Sequence, residues 1–478
     1  MSSVPFSTSI CPYPARTLAE LPGPRGAQLL GSADLFDPAA LHLKMEGWAR
    51  EYGPLYRFRL LGKRMLVVSS AAQIARLLRD RPHGMRRGAK LARILESAGV
   101  SGVFTAEGDD WQRQRRLVMR ALTPEIVHRY YPTLSLQTGR LLRRWQAAAH
   151  EGRAIDLQRD LKAHALDITI GIALGHHSDT LEHEAGTLQR DIAHLFAVCG
   201  GRMTTPTPYR QTAGEDDPAT AAALARVQAT IHDLIAATRA RLAASSALRD
   251  KPASMLDALV LACDEAGSGF DEAAVAGNAL TMVFAGEDTT SGTLAWLLHF
   301  LATHPQAASR ARAEIEAVLG DRTLLDDHRD LAGLSYLDAA IREAMRLKPM
   351  VPILGMEPNA DTEIGGVEVP AGTHVMCLPR AAAARETHEA DAPQFVPERW
   401  LGQRGADDTA RADFPFGGGP RFCPGRYLAM AEIKATVSMV LRNFDLEIDA
   451  SAEPVRECYR FTMTPSALPV VLSVRHAV

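Results

Sequence analysis

The chain has 478 residues, 46% of them hydrophobic, which is enough to bury a large core. Its formal charge of −3 excludes a generally basic, nucleic-acid-binding protein. The six cysteines, at positions 11, 199, 263, 377, 423 and 458, form no CxxC pair; this excludes a zinc ribbon and a dense disulfide framework and fits a reducing compartment.

The N-terminal stretch is broken by Pro5, Pro12 and Pro14 and lacks a basic start followed by an apolar run, so no signal peptide is read there. No window reaches the roughly 18 uncharged apolar residues of a membrane span. "LYRFRLLGKRMLVVSS" alternates and ends in β-branched residues, which predicts a hairpin turning at Gly62-Lys63. From about residue 107 to about 350 the periodicity is mostly helical, as in "EIVHRYYPTLSLQTGRLLRRWQAAA" and around 219–242. Residues 202–218, rich in Pro, Thr and acids, read as a long mobile loop. "DEAGSGFD" is a break before a helix predicted from Asp271 to Thr303, ended by His304-Pro305 and spanning about 45–50 Å. Short strands return at 362–377 and 468–475. The predicted class is mainly α with a minor β region, in a single domain over 1–478 with a proline-rich lead-in over 1–26.

Four groups of residues carry chemistry. In "FGGGPRFCPGR" the three glycines free the backbone for a close approach, Pro420 and Pro424 stiffen the loop, and a helical run follows Gly425. A cysteine before a helix N-terminus feels the positive end of the helix dipole, and Arg421 adds charge. Both favour thiolate, a good axial ligand for haem iron. A buried apolar thiol is the plainer alternative; a phosphate loop is disfavoured because GKS/T is absent. In "FAGEDTT", in the middle of the long apolar helix, Gly286 permits a local widening where a small ligand sits, and Asp288 and Thr289 form an acid–alcohol pair suited to relaying protons. A solvated face, or hydroxyls bonding back to carbonyls four residues earlier, is the alternative. Glu343 and Arg346 stand three apart on one helical face, and Trp111 and Arg115 four apart on another. His176, His177 and His183 lack metal-ligand spacing and read as surface residues at a helix end.

"FGGGPRFCPG" resembles the haem-binding signature of the cytochrome P450 superfamily, with Phe416, Gly419, Arg421, Cys423 and Gly425 in place. "FAGEDTT", "EAMR", "FVPERW" and "WQRQR" resemble further motifs of that family, in its order along the chain. The resemblance implies the cytochrome P450 fold, with haem b between the long central helix and the cysteine loop and helix. It implies Cys423 as proximal and metal ligand, tuned by a nearby Phe416. Arg421, Trp111 and Arg115 would reach the haem propionates. Thr289 would hydrogen-bond bound dioxygen or its water, and Asp288 would feed protons inward. Glu343, Arg346 and Arg399 would form a buried network needed for haem incorporation and not for chemistry. Two departures stand out. Glu287 is acidic where many relatives are neutral, and no role is assigned to it. Met356 and Glu357 occupy the neighbourhood where many relatives carry a further propionate arginine, so another donor is needed.

By family position, an apolar pocket would be lined by Met282, Phe284, Ala285, Val351, Ile353, Leu354, Phe461 and Met463, and the loop at 202–218 would be a substrate-access lid. The chain ends about 55 residues after Cys423 with no flavin or nicotinamide fingerprint. Electrons from NAD(P)H are therefore expected through a reductase and a separate ferredoxin or flavodoxin. An acidic carrier would dock on Arg113, Arg116, Arg120, Arg426 and Lys434. "LPGPRG" resembles the hinge that follows the anchor of microsomal relatives, but no anchor precedes it here. The expectation is a cytoplasmic, bacterial-type, monomeric haem-thiolate monooxygenase acting with dioxygen on a hydrophobic small molecule, with no nucleic acid or membrane anchor. Peroxide-driven oxidation, C–C or C–O coupling, and a haem-thiolate sensor without turnover are the rival readings.

Overall fold

The computed structural model describes residues 16–25, 37–60, 62–176, 178–181, 186–204, 217–386, 393–402, 414–449 and 451–475. The lead-in before residue 16, His177, His183 and residues 205–216 of the expected lid lie outside them. Of that expected loop, 202–204 instead close a helix and Pro218 opens the next one.

The hairpin forms from β1 (Leu55–Leu60) and β2 (Lys63–Val68), paired antiparallel with Leu60 opposite Lys63, so Lys63 is already strand and the turn lies one residue earlier. Gly62, at φ +80°, supplies the left-handed turn position that other residues disfavour. Helix α1 (Ala71–Arg79) follows, capped by the Ser70 side chain, and then strand β3 (Met85–Arg87). The helical region comprises α2 (Gly108–Ala121), α3 (Tyr131–His150), α4 (Leu157–Leu174), α5 (Thr187–Thr204), α6 (Pro218–Ala244), α7 (Glu272–Thr303) and α8 (Ser335–Leu347), with shorter pieces between them. Strands β4 (Leu354–Pro358), β5 (Thr362–Ile364), β6 (Val367–Val369) and β7 (His374–Cys377) precede α9 (Arg426–Asn443). The chain closes with β8 (Phe444–Ile448), β9 (Glu457–Tyr459), β10 (Met463–Pro465) and β11 (Pro469–Val474).

One five-stranded sheet has the order β1-β2-β7-β4-β3. It joins the start of the chain to residues some 300 positions later, as in Met65 opposite His374.

Helix α7 organises the rest. The Asp271 side chain accepts the Ala274 N–H at its start, and His304-Pro305 stops it, as its sequence predicts. Its 32 residues span about 48 Å. A helix apolar on nearly all sides must be covered on nearly all sides. Accordingly α7 packs along α4, itself almost wholly buried, and against α8 and α9. The helix is regular throughout Glu272–Thr303, so Gly286 makes no local widening. A Cβ there would lie 2.8 Å from Thr169 Oγ1 of α4, so the glycine serves the close approach of two helices.

Candidate active site

The cysteine loop is held from three sides. Gly419 has φ +65°, and a Cβ on it would stand 2.2 Å from the Leu78 carbonyl oxygen. The close approach foreseen for the glycines is thus to the end of α1. The Cys423 N–H donates to Phe416 O at 3.0 Å, closing the loop. Arg426 spreads over the rings of Phe416 and Phe422, 5.9 and 5.7 Å from their centroids. Cys423 therefore sits immediately before α9, whose first free amides face it. Burial pushes its thiol up, while the Gly425 amide, the Arg115 guanidinium and the Arg426 amide favour thiolate.

Beside this loop lies a cluster of cations. The Arg421 side chain is 2% exposed, lies 4.8 Å from the Trp111 ring centroid, and donates through Nη2 to Ala106 O and Glu107 Oε2, both at 2.6 Å. Its Nε and Nη1 are buried without partners. Burial lowers its pKa to about 10, against the pull of Glu107 and with the repulsion of Arg81 and Arg115. Arg115 lies half-buried and feels Cys423. A cysteine at a helix N-terminus beside buried, unsatisfied guanidinium donors fits an anionic prosthetic group with a metal to be ligated by sulfur. Cys423 would take the iron, and Arg421, Trp111 and Arg115 its carboxylate edge.

The acid–alcohol stretch has partners both within its helix and beyond it. Thr289 Oγ1 donates to Ala285 O at 2.7 Å, so its proton is used within the helix and its lone pairs face outward. Ala285, one turn before it, is exposed in the middle of an otherwise buried helix. Asp288 is held from outside the helix: Lys162 Nζ of α4 lies 2.8 Å from Oδ1, and Thr462 Oγ1 donates to Oδ2 at 2.7 Å. The Lys162 side chain is 40% exposed and that of Asp288 13%, so the pair leads from solvent toward the interior. Neither Lys162 nor Thr462 was foreseen from sequence; no local motif marks residues so far along the chain. Glu287, its neighbour in the chain, is buried, with Oε2 unpartnered. Burial, then the neighbouring Asp288, pushes its carboxyl up to about 8, with Lys162 opposing.

The structure brings Glu343, Arg346 and Arg399 together. Glu343 is fully buried and accepts from Arg346 Nη2 and Nε, both at 2.8 Å, in a bidentate pair. It also accepts from Arg399 Nε at 3.1 Å, the Val396 amide at 3.0 Å and Trp400 Nε1 at 2.9 Å. Burial raises its pKa, but the bonds from Arg346 and the others outweigh that and leave it lowered. Trp400 is a partner that sequence reasoning missed.

The eight expected pocket residues do not form one lining. Phe284 stacks on Phe196 at 4.2 Å, and Phe196 meets Phe461 edge-on at 6.4 Å, so these three rings form one apolar group. Phe196 of α5 was missed. Met282 is buried. Met463 is fully buried against Trp296 and Met350 and is core packing. Ile353 packs on the hairpin side with Trp48 and Phe58, Leu354 packs under the sheet, and Val351 is 42% exposed. Of these four, Met463 is closed off in the core, Ile353 and Leu354 lie partly buried beside two different core clusters, and Val351 is exposed.

Several of the expected docking cations have partners within the chain. Arg113 pairs with Asp110, Arg120 with Glu265, and Lys434, only 12% exposed, with Asp338. Arg426 covers the two rings already named, and Arg116 is exposed. Among the described residues no group of His, Cys, Asp or Glu is placed to hold a metal, and no helix is long and apolar enough to cross a membrane.

A thiol loop, an acid–alcohol pair on a long helix and a buried Glu–Arg–Arg network on one α-rich fold are what a haem-thiolate oxygenase would need. The cytochrome P450 family model matches residues 21–470, and the chain belongs to that family of oxygen-incorporating haem oxidoreductases. It is 28% identical over 486 aligned residues to the mitochondrial 25-hydroxyvitamin D-1 alpha hydroxylase of Homo sapiens, covering 94% of this chain and 91% of that protein. It is 26% identical to the chloroplastic protein LUTEIN DEFICIENT 5 of Arabidopsis thaliana, over 85% of this chain and 69% of that one. A self-sufficient cytochrome P450 monooxygenase of Phanerodontia chrysosporium is 27% identical; the match spans 87% of this chain but 39% of that enzyme. The crystal structure of the cytochrome P450DA haem domain superimposes with a TM-score of 0.84 at 20% identity, covering 97% of this chain and 98% of that one, a likeness of fold.

Proposed function

We propose that this P450 binds haem b through Cys423 and inserts one oxygen atom of dioxygen into a hydrophobic small molecule. Electrons would come from NAD(P)H through a separate ferredoxin or flavodoxin and its reductase. The observation that carries this reading is Cys423 itself, set against the first amides of α9 beside the Arg115 guanidinium. Haem ligated by that thiolate supplies the dioxygen-activating chemistry.

The chain's own residues do the rest. Ala285 leaves an open place on α7, and the Phe284, Phe196 and Phe461 rings favour an apolar substrate held by few polar groups. Thr289 Oγ1, its proton committed to Ala285 O, offers lone pairs to an incoming donor. Lys162 holds Asp288 oriented; when that ion pair opens to solvent, Oδ1 takes a proton and carries it inward. Glu343, Arg346 and Arg399 hold the segment before the cysteine loop in register. Docking of the electron carrier rests on fewer unpaired cations than a count of charges suggests, so steering by charge is weak. A cytoplasmic monomer is part of the same proposal.

The test is the absorption spectrum of the reduced, carbon-monoxide-bound protein beside Cys423→Ser. A strongly red-shifted Soret band, lost in the variant, is expected. An unshifted band in folded wild-type protein sinks the thiolate assignment.

A further inference from the structure

We infer that Thr462, at the tip of the β9–β10 hairpin, couples filling of the apolar site to the freedom of the Asp288 carboxylate. The inference rests on the proposed function above and assigns a positioning residue to its proton-carrying acid.

The hairpin is clamped at its root. Glu457 opens β9, opposite Pro465 of β10. Its carboxylate accepts from Arg380 Nη1 at 2.7 Å and Nη2 at 3.0 Å and from Lys348 Nζ, and His42 Nε2 lies 2.6 Å from Oε2. Glu46 accepts from Nε of the same guanidinium at 2.9 Å. On β10 the Met463 N–H donates to Met350 O at 2.9 Å, and Trp296 Nε1 donates to Met463 O at 3.2 Å. Pulling Glu457 away would leave buried charges unpaired, so this end of the hairpin is fixed.

The tip is held differently. Arg460, Phe461 and Thr462 turn between the two strands. Among the described residues, the bond from Thr462 Oγ1 to Asp288 Oδ2, 2.7 Å long, is the one side-chain hydrogen bond these three make. The preceding residue, Phe461, is half-buried and meets Phe196, which stacks on Phe284. Neighbouring residues of one turn thus carry an aromatic wall of the site and the grip on Asp288. An apolar molecule large enough to part the rings displaces Phe461, and Thr462 moves with it through the rigid peptide unit between them. While the rings are closed, both Asp288 oxygens are engaged, Oδ1 by Lys162 at 2.8 Å and Oδ2 by Thr462. Bonds donated to a carboxylate hold it in its ionised form. Filling the site frees Oδ2 to take a proton, so proton delivery waits for the substrate. By linkage, a ligand that must break this bond binds more weakly by the strength of the bond.

The test is a double-variant cycle on the haem-loaded protein, read as ligand affinity from the shift of the Soret band. The probes are clotrimazole, a bulky triaryl imidazole, and imidazole itself, too small to part the rings. Thr462→Val should bind clotrimazole about tenfold more tightly than wild type, because a bond to a charged acceptor no longer has to break. Asp288→Ala should gain as much, and the double variant no more than either. Thr462→Ser, which keeps the hydroxyl, should match wild type, and imidazole should bind wild type and Thr462→Val alike. A merely structural Thr462 would loosen the site and weaken binding instead. Should Thr462→Val not fold, Thr462→Ala takes its place. The inference is overturned by clotrimazole binding no tighter to the variant, by gains that add in the double variant, by a serine variant that behaves as valine does, or by an equal gain for imidazole. Clotrimazole that binds none of the proteins while imidazole binds overturns it too. Wild type whose Soret band shifts with neither compound would sink the haem reading itself.

Discussion

Glu287→Gln should stabilise the protein, and by an amount that depends on pH. Its carboxyl is buried on the α4 side of α7, with Asp288 beside it, Lys162 facing it from α4 and Arg460 acting in turn on Lys162. The folded-state pKa is raised to about 8 from an ordinary 4.5. The sign follows from linkage: below 4.5 both states hold the proton and nothing is at stake. As pH rises, the unfolded chain releases that proton while the folded chain retains it, so stability falls by about 1.4 kcal/mol per pH unit until about pH 8. The cost at this one residue is about 1 kcal/mol at pH 5, about 3 at pH 7 and about 4 at pH 8. Glutamine cannot ionise, so the variant should gain those amounts plus a constant offset from repacking its amide. Urea unfolding of both proteins at pH 5, 6, 7 and 8 gives the difference directly. A difference that stays flat across that range would refute a neutral, buried Glu287.

Glu343→Ala should cost about 3–5 kcal/mol, because it leaves two largely buried arginines, an amide and an indole without their shared acceptor. Against a usual total of about 5–15 kcal/mol, that brings the protein near its margin. An unchanged denaturation midpoint would contradict the network's structural role. Asp288→Asn should keep the carbon-monoxide spectrum but slow product formation about a hundredfold, with a larger solvent deuterium effect, as loss of a proton carrier does. Full turnover in that variant, with any substrate found by spectral screening, would remove Asp288 from the relay.

Much of this site is local, and local features are legible in a sequence. The bounds of α7 lie in Asp271 and His304-Pro305, because capping and chain stiffness act within a few residues. The Glu343–Arg346 pair is one helical turn, and Cys423 is placed by its own glycines and the helix after it. Composition and period also determine the helical class, since an apolar stripe must be covered by something.

Tertiary structure decided what covers what. Gly286 reads as room for a ligand until α4 brings Thr169 against it. Met463 reads as pocket until Trp296 and Met350 close around it. Asp288 finds its partners at Lys162 and at Thr462, 174 residues on, and no period or motif encodes such a meeting. Arg86 meets Glu357, 271 residues on, only because the strand register sets the two opposite each other. Local propensity is settled by neighbours along the chain, whereas burial, charge balance and partner choice are settled by neighbours in space, which a one-dimensional pattern records only in part.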